Sequence, residues 1–445
     1  MLKLHSGTPA AESRTMQHPV TPPDTTALLE RRKHLLGPAY RLFYEEPLHL
    51  VRGEGVWLHD AEGRRYLDAY NNVASVGHAH PLVVQALARQ AAVLNTHTRY
   101  LHEGVLDYAE RLLGHLPSEL GQAMFTCTGS EANDLALRIA RAHTGAQGVV
   151  ITRWAYHGVT TVLAEASPSL GAGMKLGAAV RTVAAPDSYR EAGADMGQRL
   201  ARDVRAAVAD LQERGLQPAA LLVDTVFSSD GLCTAPAGFL QPAVEAIREA
   251  GGLFIADEVQ PGFGRTGEAF WGFARHGVVP DIVTLGKPMG NGHPVAGLAV
   301  RPEVLAAFGR ECRYFNTFGG NPVSMAVASA VLDVIEQEAL QANALTVGQY
   351  LREGLLALAA RHEAVGDVRG AGLFVSVELV NDRARQQADG LLAARVVNGM
   401  RRAGVLLSAS GPQANCLKIR PPLVFSRANA DELIGRLDQV LSASA

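Results

Sequence analysis

Two short apolar segments, each leading to an ionisable residue, constrain the fold of this 445-residue chain more than any other feature. Residues 253–256 and 282–285 are too short for helices and follow glycine or polar residues, which predicts strands buried on both faces of a parallel sheet. Asp257 follows the first segment, and Lys287 follows the second. Because ligands bind beyond the carboxyl ends of strands in open α/β sheets, the pattern predicts a carboxylate and an amine at one site.

Two kinds of binding site contain a lysine in such a position. A P-loop needs glycine six residues before the lysine and serine or threonine after it, but Asp281 and Pro288 occupy those positions. Pyridoxal phosphate chemistry needs a lysine for a Schiff base and a carboxylate on the pyridinium nitrogen, and Asp257 and Lys287 supply both. From this segment alone, a structural aspartate and a solvated lysine are an equally good interpretation.

The composition excludes several other classes of protein. A hydrophobic content of 47% and a charged content of 19% are typical of a soluble globular chain. A net charge of -3 gives no reason to expect nucleic acid or an anionic membrane as a partner. We find neither a signal peptide nor an apolar segment of membrane-spanning length. The four scattered cysteines indicate reduced thiols, a cytoplasmic location and no zinc site.

Changes in pattern along the chain predict four regions. Residues 1–25, rich in proline, threonine and alanine, are expected to form a mobile arm. Residues 26–70 contain an antiparallel meander and begin a small domain. Strands and helices alternate through much of residues 71–335, which predicts a large domain with a mainly parallel sheet. Residues 336–445 return to a mixture of strands and helices and are expected to complete the small domain.

Two further segments contain residues suited to a cofactor. Thr128 and Glu131 fit a capping box at the start of a helix, and the amides of Gly129 and Ser130 suit a phosphate there. Most capped helices bind nothing, so this pattern alone is weak. Tyr156 follows a strand-like segment and could stack on a planar ring, although a tyrosine in the core is the commoner explanation.

These motifs, in this order, resemble those of the class III (ω-type) aminotransferases. The most specific element is residues 257–260, followed by the glycine-rich residues 262–267 and then by Lys287 at the spacing that the family has. Residues 315–322 support the same resemblance. The resemblance extends from about residue 31 to residue 441. It implies a fold type I, pyridoxal 5′-phosphate-dependent transferase of the α/β class, with a large domain and a smaller α+β domain built from both chain ends.

The resemblance also implies roles for individual residues. Lys287 forms the Schiff base and later moves a proton, Asp257 pairs with the pyridinium nitrogen, and Gln260 lies near the 3′-oxygen of the cofactor. The other implied cofactor-binding residues are Val259 and Tyr156 on the two faces of the ring, His157 beside Tyr156, Gly129 and Ser130 at the phosphate, and Thr317. Because Thr317 would reach the phosphate of the neighbouring subunit, we expect a homodimer or a dimer of dimers.

On the substrate side, Arg420 matches the arginine that binds a substrate carboxylate with a bidentate fork. Many members carry a glutamate that pairs with this arginine, but here Asp224 stands on the corresponding strand and is one methylene shorter. Asp230 is a second candidate for that gating role, and Asn72 is a further candidate substrate residue. The implied reaction transfers an amino group from an amine or (ω-)amino acid to a small 2-oxo acid such as pyruvate or glyoxylate.

The sequence leaves one alternative to this reaction open. Residues 71–74 and 287–294 look closest to a branch that includes alanine–glyoxylate aminotransferase 2 and the ethanolamine-phosphate phospho-lyases. A lyase removes the same substrate proton but then expels phosphate from the β-carbon. Because the cofactor motifs do not report which outcome follows, a phospho-amine lyase remains the alternative.

Overall fold

The computed structural model describes residues 24–191 and 195–444. The predicted mobile arm, residues 1–25, lies outside the described residues except for its last two positions. Asp24 caps the first helix, because its Oδ1 accepts a hydrogen bond from the amide of Thr26 at 3.1 Å. Regular structure in the described chain therefore begins at the end of the segment that was expected to be an arm.

The strands and helices alternate along most of the chain. The strands are β1 Leu50–Glu54, β2 Trp57–Asp60, β3 Arg65–Asp68, β4 Gln122–Thr126, β5 Gly148–Thr152, β6 Val180–Val183, β7 Pro218–Asp224, β8 Leu253–Asp257, β9 Ile282–Leu285, β10 Ala296–Val300, β11 Val365–Ala371, β12 Phe374–Asp382, β13 Gln387–Ala388, β14 Val405–Leu406, β15 Ser408–Ser410 and β16 Cys416–Ile419. The helices are α1 Thr25–Leu36, α2 Pro81–Ala91, α3 Glu103–Gly114, α4 Gly129–Thr144, α5 Thr161–Ala164, α6 Met196–Glu213, α7 Gln241–Glu249, α8 Pro302–Glu311, α9 Pro322–Gln337, α10 Leu340–Ala359, α11 Gly390–Arg402 and α12 Arg427–Ser444. Among these helices none is both long and apolar enough to cross a bilayer.

The central sheet has seven strands in the order β4-β10-β9-β8-β7-β5-β6. All neighbours from β9 to β6 are parallel, whereas β10 is antiparallel to both β9 and β4. The prediction of a mainly parallel sheet is thus confirmed. A parallel sheet needs long crossovers, and the helices between its strands supply them.

Successive residues of β8 face opposite sides of the sheet, and both sides are buried. Phe254 and Ala256 belong to the core that includes side chains of α6 and α7. Ile255 belongs to the core formed with α4 and α8. Each fully buried side chain of this size contributes roughly 1.5–3 kcal/mol by leaving water. The expectation of strands buried on both faces is confirmed.

Two smaller sheets join the chain ends. Strands β1, β2 and β3 form the predicted antiparallel meander, and β14 from the C-terminal part adds to β3 in parallel. Strands β11, β12, β16 and β15 form an antiparallel sheet, with β13 paired to β12. Just beyond β16, the amide of Arg420 donates to the carbonyl of Ala69 at 2.8 Å. The two chain ends therefore meet beside Arg420, while the exact domain boundaries stay predictions.

Candidate active site

The site lies at the carboxyl ends of three neighbouring parallel strands. In the strand register, Asp224 of β7 is opposite Asp257 of β8, and Asp257 is opposite Thr284 of β9. Lys287 begins the 3-10 turn Lys287–Gly290, directly after β9 and Gly286. The fold thus brings the predicted carboxylate and the predicted amine to one edge of the sheet.

Asp257 is held by three hydrogen bonds. Its Oδ2 accepts from Nδ1 of His157 at 2.7 Å and from Nδ2 of Asn133 at 2.9 Å, and its Oδ1 accepts from the amide of Val259 at 3.1 Å. The Oδ1 of Asn133 in turn accepts from the hydroxyl of Thr284 at 2.6 Å. A carboxylate only accepts hydrogen bonds, so this arrangement assigns the proton of His157 to Nδ1. Asp257 is therefore fixed in orientation. Its Oδ1 accepts only one of the three hydrogen bonds and can accept another from a ligand.

The amine of Lys287 has an unusual environment. Burial, together with the positive charge of Arg420, lowers its pKa to about 8, although the negative charges of Asp257 and Asp224 oppose the shift. A lysine with such a pKa is partly unprotonated near neutral pH, which a nucleophilic amine requires.

Helix α4 points its N-terminus at the same edge. The Oγ1 of Thr128 accepts from the amide of Glu131 at 3.1 Å, and the Glu131 carboxylate accepts from the amide of Thr128 at 2.9 Å, as the predicted capping box requires. The amides of Gly129 and Ser130 are not used by the box. A side chain at Gly129 would crowd Val259, since an added Cβ would lie 3.0 Å from both Val259 methyl groups. The free amides and the helix dipole make a place for a phosphate.

These groups enclose one cavity of about 180 Å³. The residues that line it are Gly129, Ser130, Asn133, Tyr156, His157, Gly158, Asp224, Asp257, Val259, Gln260 and Lys287. The donor set suits pyridoxal 5′-phosphate: an amine for its aldehyde, a carboxylate for its ring nitrogen, a helix N-terminus for its phosphate, and Tyr156 and Val259 to cover the ring. The roles of the individual residues stay predictions.

Arg420 lies next to this cavity. Its Nη1 donates a hydrogen bond to Oε1 of Gln260, and its guanidinium carbon is 4.9 Å from the centre of the Tyr70 ring. The side chain is only 7% exposed, its buried Nε has no hydrogen-bond partner, and burial lowers its pKa. Gln260, which lines the cavity, thus connects the predicted cofactor side with the predicted substrate arginine.

The two aspartates proposed as gates have different surroundings. Asp224 lines the cavity and accepts from the amides of Val226 and Ser228 at 3.0 and 3.1 Å, and burial raises its pKa. Asp230 accepts from the hydroxyl of Thr152 at 2.7 Å, and burial raises its pKa to about 6. Within the described chain, neither forms an ion pair with Arg420. The gating role therefore stays a prediction for both.

Asn72 and Thr317 do not line the cavity. Asn72 is 1% exposed, and its buried Nδ2 has no hydrogen-bond partner. Thr317 is exposed and lines a separate surface depression with Glu131 and Phe318. A single chain therefore brings together most of the predicted cofactor residues but not Thr317, whose proposed role needs a second subunit.

One residue of the site and one beside Arg420 were missed by reasoning from the sequence. Asn133 follows Glu131 by two residues, yet only the structure shows that its Nδ2 donates to Asp257. Lys418 is 7% exposed and lies in β16, two residues before Arg420, which follows the end of that strand. This spacing was visible in the sequence. Among the described residues, no cluster of histidine, cysteine, aspartate or glutamate is arranged to hold a metal ion.

Comparison with known proteins identifies relatives over nearly the whole chain. The model of the aminotransferase class-III family matches residues 43–441. The chain is 43% identical over 431 residues to an alanine–glyoxylate aminotransferase 2-like protein of Drosophila melanogaster, covering 94% of this chain and 87% of the relative. It is 38% identical over 435 residues to ethanolamine-phosphate phospho-lyase homolog 1 of Caenorhabditis elegans, covering 93% of each. A solved Arthrobacter phospholyase in complex with phosphoethanolamine matches with a TM-score of 0.91 and 46% identity, over 94% of this chain and 99% of that one.

Proposed function

Since the chain belongs to the class III aminotransferase family, we propose that it transfers an amino group from an amine or an (ω-)amino acid to a small 2-oxo acid such as pyruvate or glyoxylate. Enzymes of this family use pyridoxal 5′-phosphate, whose ring, when bound, draws electrons from the substrate carbon that loses a proton. The observation that supports the proposal is the position of Asp257, Lys287 and the N-terminus of α4 around one cavity.

In this proposal, Lys287 holds the cofactor and then carries the proton. With a pKa of about 8, about a tenth of the amine is unprotonated at pH 7, compared with well under a thousandth for an ordinary lysine. The same group therefore serves as nucleophile and, when protonated, as acid. Asp257, held by His157 and Asn133, keeps a negative charge where the ring nitrogen needs one. Tyr156 and Val259 keep water from the faces of the ring.

Arg420 supplies the anion-binding group of the proposed substrate site. Its guanidinium has no carboxylate partner in the described chain, and a carboxylate of an amino acid or a 2-oxo acid would take both arms of its fork. Gln260 limits how far the guanidinium swings, because it accepts from Nη1. The substrate amine would then lie between Arg420 and Lys287.

The assembly and the location are also part of the proposal. We propose a homodimer or a dimer of dimers in the cytoplasm, in which Thr317 completes the phosphate site of the neighbouring subunit. The exposure of Thr317, away from the cavity of its own chain, supports a role across an interface. Thr317→Ala should weaken cofactor retention without changing the mass of the assembly, which gel filtration and cofactor absorbance would measure together.

The proposed function is tested by supplying an amino donor without any 2-oxo acid. The bound cofactor should then lose its aldehyde absorbance in one turnover, and adding pyruvate or glyoxylate should restore it. Borohydride should attach the cofactor to Lys287 in the resting enzyme. Lys287→Gln should abolish both results, whereas Lys175→Gln, at an exposed lysine, should change neither. Persistence of the aldehyde absorbance with a broad set of donors would contradict amino transfer.

A phospho-amine lyase is the second candidate, and the similarity to a phospholyase that binds phosphoethanolamine favours it. The lyase would take the same proton with Lys287 and then expel phosphate from the β-carbon. Release of phosphate from O-phosphoethanolamine without any 2-oxo acid would support this function. If no phosphate is released at high enzyme concentration while an amino donor reversibly removes the aldehyde absorbance, amino transfer remains as the function and the lyase is excluded for this substrate.

A further inference from the structure

Residues 225–232, the β7 loop, have a strained backbone directly beside the active site. The loop begins after Asp224, which lines the active-site cavity. Phe227 and Leu232 have φ values of 56° and 72°, in the left-handed region that bulky side chains avoid. Both residues are buried. Because such conformations persist only where the surroundings impose them, the contacts of this loop decide its shape.

Arg369 of β11 holds the far end of the β7 loop. Its Nε donates to the carbonyl of Leu232 at 2.6 Å, and its Nη2 donates to the carbonyl of Gly231 at 2.9 Å. The amide of Gly411 donates to the carbonyl of Ser229 at 3.1 Å. Arg369 and Gly411 both belong to the C-terminal part of the chain, so that part holds a loop which the central sheet carries.

Arg369 is itself fixed by carboxylates. Its Nη1 lies 2.7 Å from Oδ2 of Asp367 and 2.7 Å from Oε2 of Glu378. Glu378 is buried, and its Oε1 accepts from Nη2 of Arg190 at 2.6 Å. A guanidinium held by charge-assisted hydrogen bonds keeps its plane and its direction. The two donors that Arg369 presents to the β7 loop are therefore oriented by groups outside the loop.

The near end of the β7 loop is held by the central sheet and its connections. Thr225 donates through Oγ1 to Oε1 of Glu258 at 2.6 Å, and its carbonyl accepts from Nε2 of His276 at 3.0 Å. Between the two ends, the amides of two loop residues donate to the carboxylate of Asp224. The orientation of Asp224 thus depends on a loop that is fixed at one end by Thr225 and at the other by Arg369.

We propose that Arg369 is a positioning residue of the active site, which keeps the Asp224 carboxylate at the cavity wall near Lys287 by holding the β7 loop in its strained conformation. Arg369 does not line that cavity itself and acts through the carbonyls of two loop residues. The inference rests on the proposed function, because a fixed carboxylate matters for the reaction only where Lys287 transfers a proton.

Release of the β7 loop should change the charge around Lys287 in a definite direction. Burial and the positive charge of Arg420 lower the pKa of Lys287. Asp257 and Asp224 raise it. Of these charged groups, Asp224 alone borders the loop. Moving its carboxylate away disfavours a proton on the Lys287 nitrogen, whereas loss of the positive charge of Arg369 favours one. The sign of the change therefore separates positioning from simple loss of a charge.

The first test measures hydrogen exchange in the cofactor-free protein, so it needs no reaction. Arg369→Ala should make the amides of the β7 loop exchange at least about tenfold faster, because the loop loses two donors, while peptides covering β8 and β9 keep their rates. Arg383→Ala is the matched control and should leave the loop unchanged, since Arg383 follows β12 and donates to the carbonyls of Ala359 and His362 at 2.6 and 2.7 Å. Equal exchange of the loop in Arg369→Ala and the wild type would overturn the proposal.

The second test restores the missing group. Arg369 lines a cavity of about 380 Å³ with Glu378 and Leu232, so its removal leaves room for a guanidinium ion. Guanidinium chloride, far below its denaturing concentration, should slow the loop exchange of Arg369→Ala at least about threefold, and sodium chloride at the same concentration should not. Equal effects of the two salts would overturn the role of the directed donors. If Arg369→Ala does not fold by circular dichroism, Arg369→Met replaces it in the exchange and absorbance measurements with the same expected results.

The third test uses the enzyme with its cofactor bound. The visible absorbance of the cofactor depends on whether the nitrogen of Lys287 carries a proton. The midpoint of its pH titration should fall by at least about half a unit in Arg369→Ala and stay unchanged in Arg383→Ala. With an anionic donor, kcat should fall about tenfold and KM should change by less than about threefold, since Asp224 forms no ion pair with Arg420 in the described chain. An unchanged or higher midpoint would overturn the proposal.

These measurements separate a failure of this inference from a failure of the proposed function. Faster loop exchange and a lower midpoint in Arg369→Ala, in an enzyme that reacts with no amino donor or phosphorylated amine, would support the positioning role and refute the proposed function. An active enzyme whose loop exchange and midpoint do not depend on Arg369 would refute the positioning role and leave the reaction intact.

Discussion

The proposed cofactor side of the cavity and the proposed substrate side next to it differ in how their charges are held. On the cofactor side, Asp257 accepts from His157, Asn133 and a backbone amide before any ligand binds. On the proposed substrate side, Arg420 donates to Gln260 and has no carboxylate partner in the described chain. One side is completed by its own hydrogen bonds, and the other is left for a ligand to complete.

The difference follows from what each side has to do. A group that holds a permanent cofactor works best when its orientation is fixed in advance, because no reorganisation is needed during the reaction. A group that binds a substrate must release the product, so it gains from charges that are paired only while the ligand is present. Four experiments test this comparison.

The largest effect is expected for Asp257→Asn. The amide cannot place a negative charge at the ring nitrogen, so the ring loses most of its ability to draw electrons from the substrate. We expect the rate of cofactor conversion by an amino donor to fall by about 10²–10³-fold, the range seen when one preorganised electrostatic group is removed. Stopped-flow absorbance would measure it. A loss of less than about threefold would show that the cofactor side does not depend on this charge.

Arg420→Gln should have the next largest effect, and Asp224→Asn is its control. Removing the guanidinium should raise KM for an anionic substrate by about 10–100-fold and change kcat much less. Asp224 forms no ion pair with Arg420, so Asp224→Asn should change KM by less than about threefold. Steady-state kinetics with one anionic donor would measure both variants. A fall in KM of more than about threefold in Asp224→Asn would instead assign Asp224 the gating role, because a gating carboxylate competes with the anionic substrate for Arg420.

The pH dependence of stability should be smaller but has a defined sign. Lys287 has a folded-state pKa of about 8 against 10.5 for an ordinary lysine. Below about pH 8, Lys287 is protonated in both the folded and the unfolded state, and the folded state bears the full cost of burying the charge. Between pH 8 and 10.5 the unfolded state binds more protons than the folded state, so the free energy of unfolding rises with pH. Cofactor-free Lys287→Met should therefore be more stable than the wild type at pH 7, and the difference should shrink toward pH 10.5. If urea titrations gave the same difference in stability between Lys287→Met and the wild type at every pH, the lowered pKa of Lys287 would be contradicted.

The smallest effect is expected for Thr128→Ala at the start of α4. Loss of this N-cap should reduce the free energy of unfolding by about 1 kcal/mol and also weaken cofactor binding, because the freed first turn holds the phosphate less firmly. Asp389→Ala removes the N-cap of α11, where Asp389 accepts from the amide of Leu392, and is the matched control. It should destabilise the chain by a similar amount without changing cofactor affinity. Equal loss of affinity in both variants would show that α4 acts only through stability.

Local patterns accounted for most of the fold and of the cofactor side. The apolar runs before Asp257 and Lys287 predicted β8 and β9, and Thr128 with Glu131 predicted the start of α4. These features depend on neighbours within a few residues, where strand burial and capping are decided. The resemblance to a known family then connected them to a cofactor, which the separate motifs could not do.

Other features could not be predicted because they depend on contacts between distant parts of the chain. Gln260 was expected only near the cofactor, yet it accepts from Arg420, which follows it by 160 residues. Asn133 bonds Asp257 across 124 residues. Lys418 looked like an ordinary residue of a short strand, because its burial depends on β12 and β15, which pair with β16 only in the folded chain.

The sequence by itself determined the two strands that lead to the site, the cap of α4 and the carboxylate and amine that meet at the end of the parallel sheet. Periodicity and capping act locally and need no knowledge of the rest of the molecule. Only the tertiary structure decided the balance of charge at the site, because the pKa of a buried group depends on burial and on charges that arrive from other elements. The carboxylate and the amine that begin the site were visible in the sequence. The contact of Arg420 with Gln260, which brings the guanidinium next to the cavity, exists only in the folded chain.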